Sequence, residues 1–206
     1  YYKDFADQNI RVIFLNTCDT PIMTDTNGNL VYYPIKDYTY SDAQIKWLVN
    51  TALDIPAGYS ILICQHIPVD QSASVTHDGG INNGDVVRGI LGAAKNGTSY
   101  SCSATTGNLA HDAYSVDYTG NAKDIIAIIS GHTHCDKFTT VNGIKNITTV
   151  CSKCEASTEA TASLTIPSRT AGTNTEDSWV IFTVDPDKRT IYATRYGAGE
   201  DFNVIY

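Results

Sequence analysis

The chain is short of positive charge and of methionine. Lys and Arg number 14 against 22 Asp and Glu, giving a net charge of −8 over 206 residues, and Met23 is the single methionine. Charged residues of all kinds make up 17%, below the roughly 25% usual in soluble domains. Duplex nucleic acid is gripped through clustered Lys and Arg, and anionic membranes attract the same groups. Neither duplex nucleic acid nor a membrane surface is therefore expected as a partner. No run comes near the ~18 consecutive apolar residues of a bilayer-spanning helix. The first residues, Tyr1-Tyr2-Lys3-Asp4-Phe5, hold neither an initiator Met nor a signal-peptide core. From such an opening we expect a fragment whose natural sequence continues upstream. Six cysteines are too few for a disulfide scaffold. Cys151 and Cys154 form a C-x-x-C pair, but Cys18, Cys64, Cys102 and Cys135 are scattered singly and supply no second pair for a zinc site. Two packed thiols are the expected outcome.

What is plentiful is apolar and aromatic: 42% of residues are hydrophobic and 13 are tyrosine. A chain of this length, with no internal repeat and no linker, reads as a single domain spanning residues 1–206. The run Ile10-Arg11-Val12-Ile13-Phe14-Leu15 predicts a buried strand, and Leu30 to Ile35 a return strand after the turn Asp25-Thr26-Asn27-Gly28-Asn29. Ser41-Asp42-Ala43-Gln44 has the form of a capping box, followed by Ile45, Leu48, Val49 and Ala52 at helical spacing, so a helix is expected over 42–53. Ser60-Ile61-Leu62-Ile63-Cys64 reads as a buried strand, Val86 to Ala94 as a second helix stopped by Asn96-Gly97, and Asp124 to Ser130 as the clearest buried strand. Tyr100 to Tyr118 reads as a long irregular excursion. Ile144 to Val150, Trp179 to Val184 and Thr190 to Arg195 are expected strands, with Ala156 to Thr175 a surface loop. Strand alternating with helix, then a run of strands, predicts an α/β fold whose mixed sheet is flanked by helices and ends in an antiparallel part.

Three of the five histidines fall at the carboxyl ends of these strands. His66 follows Ile61 to Cys64, and His132 and His134 follow Ile125 to Ile129. Sites in open α/β sheets assemble at that edge, where the loops converge. Neutral imidazole is the commonest side-chain ligand for transition metals. Gly131 before the pair is expected to let the backbone bend sharply. A His-x-His pair on a turn can serve two neighbouring ions rather than one. The plain alternative is three ordinary histidines with satisfied hydrogen bonds; the order and spacing favour a metal.

A strand ending in Gln65-His66-Ile67-Pro68, then one ending in Gly131-His132-Thr133-His134, resembles the C-terminal half of a calcineurin-like metallophosphoesterase. Gln44-Ile45-Lys46-Trp47-Leu48 and the tail Arg195-Tyr196-Gly197-Ala198-Gly199-Glu200-Asp201 are similar to segments of that family. The resemblance covers residues 10–150, most specifically the ordered combination of the histidine motifs. It implies a metallophosphoesterase-type α/β sandwich and hydrolysis of a phosphomonoester or phosphodiester. It implies two divalent ions (Mn, Fe, Zn or similar) and an attacking metal-bound hydroxide. By resemblance, His66 and His132 ligate one ion and His134 the other. Cations would also let an acidic chain hold an anionic ester.

The family's other motifs, Asp-x-His, Gly-Asp-x-x-Asp and Gly-Asn-His, do not occur. Gly84-Asp85-Val86-Val87-Arg88 begins like the second but ends in Arg88, and Gly28-Asn29, Gly107-Asn108 and Gly120-Asn121 lack the His. The catalytic His and the bridging carboxylate are therefore expected upstream of Tyr1. Adjacent cations repel without such a bridge, so the chain alone is expected to be inactive, and its unpartnered surface to self-associate. Two other readings stand beside the enzyme: a catalytically dead binding or assembly module of phage-like or cell-surface kind, and a mononuclear zinc hydrolase built on the three histidines. His77 and His111 read as loop histidines, Asn96-Gly97-Thr98 and Asn146-Ile147-Thr148 match the glycosylation sequon, and Asp136 and Lys137 are placed to tune the histidine loop.

Overall fold

In the computed structural model residues 1–33, 36–69, 80–152 and 167–206 are described. In chain order the elements are β1 (Tyr2–Phe5), β2 (Ile10–Phe14), α1 (Asp42–Trp47), β3 (Ser60–Cys64), α2 (Gly84–Asn96), β4 (Ser99–Cys102) and β5 (Tyr114–Asp117). They continue with β6 (Asp124–Ser130), β7 (Lys137–Val141), β8 (Ile144–Thr148), β9 (Ser178–Asp185), β10 (Thr190–Gly197) and β11 (Phe202–Ile205). The protein is α/β, with a mixed six-stranded sheet in the order β1-β2-β3-β6-β8-β7. Strands β2, β3, β6 and β8 run parallel, so their carboxyl ends share one edge, while β1 and β7 pair antiparallel at the two margins.

The parallel strands are near-continuous aliphatic runs because both of their faces are covered. On one face Ile13, Ile61, Ile63, Ile125, Ile128 and Ile144 pack against Ile45, Leu48, Val86, Ile90 and Leu91 of the helical segments. On the other, Ile10, Leu62, Ile126, Ala127 and Ile147 meet Ile191, Phe182, Val184, Phe202 and Val204 of a three-stranded antiparallel sheet ordered β11-β10-β9. Each fully buried aliphatic side chain contributes about 1.5–3 kcal/mol to this three-layer arrangement. A β-bulge opposite Ile61 and Leu62 inserts Ile126 into β6. Ile125 and Ile128 therefore serve the helical face, and Ile126 and Ala127 the second sheet.

Ser41 caps α1, accepting from the Gln44 N–H at 3.2 Å. The capping box is not reciprocal, however. Gln44 turns outward and brackets Asn16, accepting from its N–H at 2.7 Å and donating to its carbonyl at 2.8 Å. The helix expected over 42–53 is α-helical only to Trp47 and continues as a π turn over Leu48–Ala52. Leu30 makes a single bridge to Thr24 rather than a return strand, and Pro34 and Ile35 lie outside the described residues. Within the excursion expected to be irregular, β4 and β5 form a hairpin. Gly97 closes α2 as expected, in the left-handed region at φ 62°. The expected strand Ile144 to Val150 stops at Thr148, and of the expected loop over 156–175 only 167–175 is described, without strand or helix. No helix among the described residues is long and apolar enough to cross a membrane.

Candidate functional site

The backbone ladder runs on past the four parallel strands and shapes their carboxyl edge. Leu15 N–H donates to Cys64 O at 3.0 Å, Gln65 N–H to Ile129 O at 3.0 Å, Gly131 N–H to His66 O at 3.0 Å, and Thr149 N–H to Ser130 O at 3.2 Å. The segments carrying His66 and His132 are thus stitched directly to each other. Their rings meet edge to face, with centroids 5.2 Å apart and planes at 77°. Two imidazoles held by one ion at about 2.0–2.1 Å in tetrahedral geometry have centroids about 5 Å apart, so the separation suits a shared cation. The His132 ring also meets Tyr38 edge to face, with centroids 5.1 Å apart. Tyr38 is buried and its backbone is bonded to Asn82.

His66 is exposed, though its ring packs against that of His132. Partial burial, and then the charge of His134, depress its pKa below the ordinary value of 6.5. The ring is therefore neutral at pH 7 and has a lone pair to offer. Its position is fixed from below. The buried Tyr40 hydroxyl donates to Gln65 Oε1 at 2.8 Å, Gln65 Nε2 donates to Ile67 O at 2.7 Å, and Ile67 N–H donates to Thr17 Oγ1 at 3.2 Å.

The bend after β6 differs from expectation. Gly131 is absent from the residues with positive φ; the left-handed positions are His132 at φ 72° and His134 at φ 52°. Histidine is among the types that tolerate this region better than most, but each such residue costs of order 1–3 kcal/mol. Thr133 N–H donates to Gly131 O at 2.9 Å, closing a tight turn between them, and the buried Cys135 donates from Sγ to Thr133 Oγ1 at 3.2 Å.

Among the described residues no three His, Cys, Asp or Glu side chains converge as a metal site by themselves. His66 and His132 fit one cation as a pair, and His134 is near enough to act electrostatically on His66. A carboxylate bridge for a second ion is not present among the described residues.

The remaining sequence candidates fall elsewhere. Asp136 belongs to a buried ion pair with Arg195 that spacing alone did not suggest. His111 lies in a stretch without strand or helix, as expected, and is buried there, with Nδ1 2.7 Å from Asp112 O and its ring beside Tyr114. Arg88 anchors α2 by donating to Val69 O at 2.9 Å. Asn146 is buried within β8, which rules out its sequon as a glycan acceptor. Cys151 is half-buried, whereas Cys154 and His77 lie outside the described residues. Sequence reasoning missed Tyr38, Tyr40 and Thr17. Their signal was an aromatic, polar stretch between strand and helix, with no periodicity to mark it. No family model matches the chain, and no curated protein matches it significantly.

Proposed function

We propose that the chain is the C-terminal part of a metal-dependent phosphohydrolase of the calcineurin-like metallophosphoesterase type and its sandwich fold, acting on a phosphomonoester or phosphodiester. The observation that carries this reading is the meeting of His66 and His132 at 5.2 Å on the carboxyl edge of the parallel strands. His66 and His132 would hold one divalent ion, and His134 would reach toward a second. Mn, Fe, Zn or a similar ion suits the imidazole donors. Bound there, the ions would polarise the phosphate and supply hydroxide near neutral pH. Burial keeps the His66 ring neutral, Gln65 and Thr17 fix the backbone of its segment, and Tyr38 packs beside His132. Further ligands, a bridging carboxylate among them, come from polypeptide other than the described residues.

The test is hydrolysis of an aryl phosphate ester with Mn2+ by the full-length protein, against His132→Ala. Loss of a group that merely orients a metal ligand costs about 10–100-fold, and loss of the ligand itself should cost no less. Undiminished turnover in His132→Ala would overturn the reading. A catalytically dead binding or assembly module is the second reading. It is favoured by the failure of any third ligand to converge among the described residues. It is favoured also by the outward face of the three-stranded sheet, where Trp179, Ile181, Tyr192, Tyr196 and Ile205 are exposed.

A further inference from the structure

Two arginines tether the three-stranded sheet to the six-stranded one, at Asp124, where β6 begins, and at Asp136, in the segment between β6 and β7. At the first, Arg189 donates to both Asp124 carboxylate oxygens, at 2.9 and 3.3 Å, in a half-exposed setting. At the second, Arg195 Nη2 donates to both oxygens of Asp136 at 2.7 Å, and here the side chains are 1% and 9% exposed. Asp136 lies two positions beyond His134 and also accepts from the Val150 N–H at 3.3 Å, so it ties the histidine turn to the end of β8. Arg195 is itself held by Ser178 Oγ, which accepts from Nη1 at 3.2 Å, and by Asp201 Oδ1, which accepts from the Arg195 N–H at 2.7 Å. Its Nε is buried with no hydrogen-bond partner among the described residues. A buried guanidinium that leaves one donor unmet serves poorly as a simple stabiliser. It is accounted for by what it holds.

Held in front by Gly131 N–H on His66 O, the turn needs a second anchor behind to keep two non-glycine residues left-handed. We propose that the Arg195–Asp136 pair is that anchor, a positioning device that sets His132 against His66 and Tyr38 and holds His134 beside them. This rests on the reading of the three histidines as one site. Arg195 and Asp136 touch neither substrate nor reacting atoms in this scheme; they act through the turn.

The test compares Arg195→Met, Arg195→Lys and Arg189→Met by NMR of ring protons, without metal. Arg195→Met should lose the cross-peaks of the His132 ring with the His66 and Tyr38 rings. The methyl shifts of Ile61, Ile63, Ile125 and Ile128 should stay as in the parent. Arg195→Lys, which keeps the charge but not the fork, should restore those cross-peaks in part. Arg189→Met should keep them in full. Survival of the ring contacts in Arg195→Met, or their equal loss in Arg189→Met, overturns the proposal, because sheet docking alone would then be at work. If Arg195→Met does not fold, Arg195→Lys decides: unchanged ring contacts there overturn the proposal. Titration with Co2+ separates this inference from the functional reading. Broadening of the His66 and His132 signals in the parent, with binding about tenfold or more weaker in Arg195→Met, supports both. No Co2+ effect on those rings in the parent sinks the metal reading and leaves the ring-contact result to decide the anchor.

Discussion

The Tyr40 hydroxyl, fully buried beneath the sheet edge, donates a 2.8 Å hydrogen bond to Gln65 Oε1, and the same glutamine returns a 2.7 Å bond from Nε2 to Ile67 O. One side-chain amide therefore links Tyr40 to the Ile67 carbonyl just beyond His66, while Thr17 Oγ1 takes the Ile67 N–H. Burial drives the Tyr40 pKa far up, so the phenol stays protonated and remains a donor at neutral and moderately alkaline pH. Tyr40→Phe keeps the ring and its packing but strands a buried acceptor. The expected cost is about 1–3 kcal/mol, read as a lower urea midpoint with unchanged m-value. Faster hydrogen exchange at Gln65 and Ile67 than at Ile61 and Ile63 would place the loss at the His66 segment. A neutral substitution would show that Gln65 finds another donor.

The parallel core was legible because its strands are short aliphatic runs. Ser60–Cys64 and Asp124–Ser130 were bounded correctly, since β-branched residues buried on both faces leave little ambiguity. That His66 and His132 lie near each other followed as well: both end strands that turned out to be adjacent and parallel. The edge strands were not legible. Lys137-Phe-Thr-Thr-Val in β7 is mostly polar and Phe202-Asn-Val-Ile in β11 is only four residues long; both are half-exposed, and only pairing with a neighbour makes them strands. The Arg195–Asp136 pair joins residues 59 positions apart, a relation that periodicity cannot carry. The bend was misplaced for a third reason. Glycine is the default for left-handed backbone, whereas here two histidines adopt it beside an ordinary glycine, and strain at a candidate site departs from the default rule.

His66 and His134 give a pH dependence with a definite sign. Burial first, and repulsion from a charged His134 second, lower the His66 pKa from its ordinary 6.5. The unfolded chain thus takes up this proton more readily than the folded one. Stability is unaffected by this ring well above pH 6.5 and declines as pH falls from that value toward the folded one. His134→Ala removes the second cause and leaves the first. The His66 Cε1–H resonance, followed from pH 8 to pH 4, should titrate below 6.5 in the parent and closer to 6.5 in His134→Ala, without reaching it. An unchanged midpoint would mean that His134 is too distant to act on His66 and would remove it from the site.

The last prediction concerns the turn behind Arg195. Gly197 sits at φ 83°, and a Cβ placed on it would lie 2.0 Å from Asp177 O. That oxygen cannot retreat, because it accepts from the Ala198 N–H at 2.9 Å, while Ser178 Oγ donates to Ala198 O at 2.7 Å. Gly197→Ala therefore meets two penalties: the left-handed conformation, about 1–3 kcal/mol, and a backbone collision on top of it. At about 2–4 °C per kcal/mol for a domain of this size, the melting temperature should fall by several degrees at least. The displacement should not stay local. Ser178 accepts from Arg195 as well as donating to Ala198, so moving residues 177–198 pulls on the guanidinium that holds Asp136. In Gly197→Ala the amide resonances of Thr133 to Asp136 should shift, while those around Asp124 and Arg189, at the other end of β10, should not. Shifts confined to the residues around Asp177, Ser178 and Gly197 would show that the strain is absorbed before it reaches the histidines.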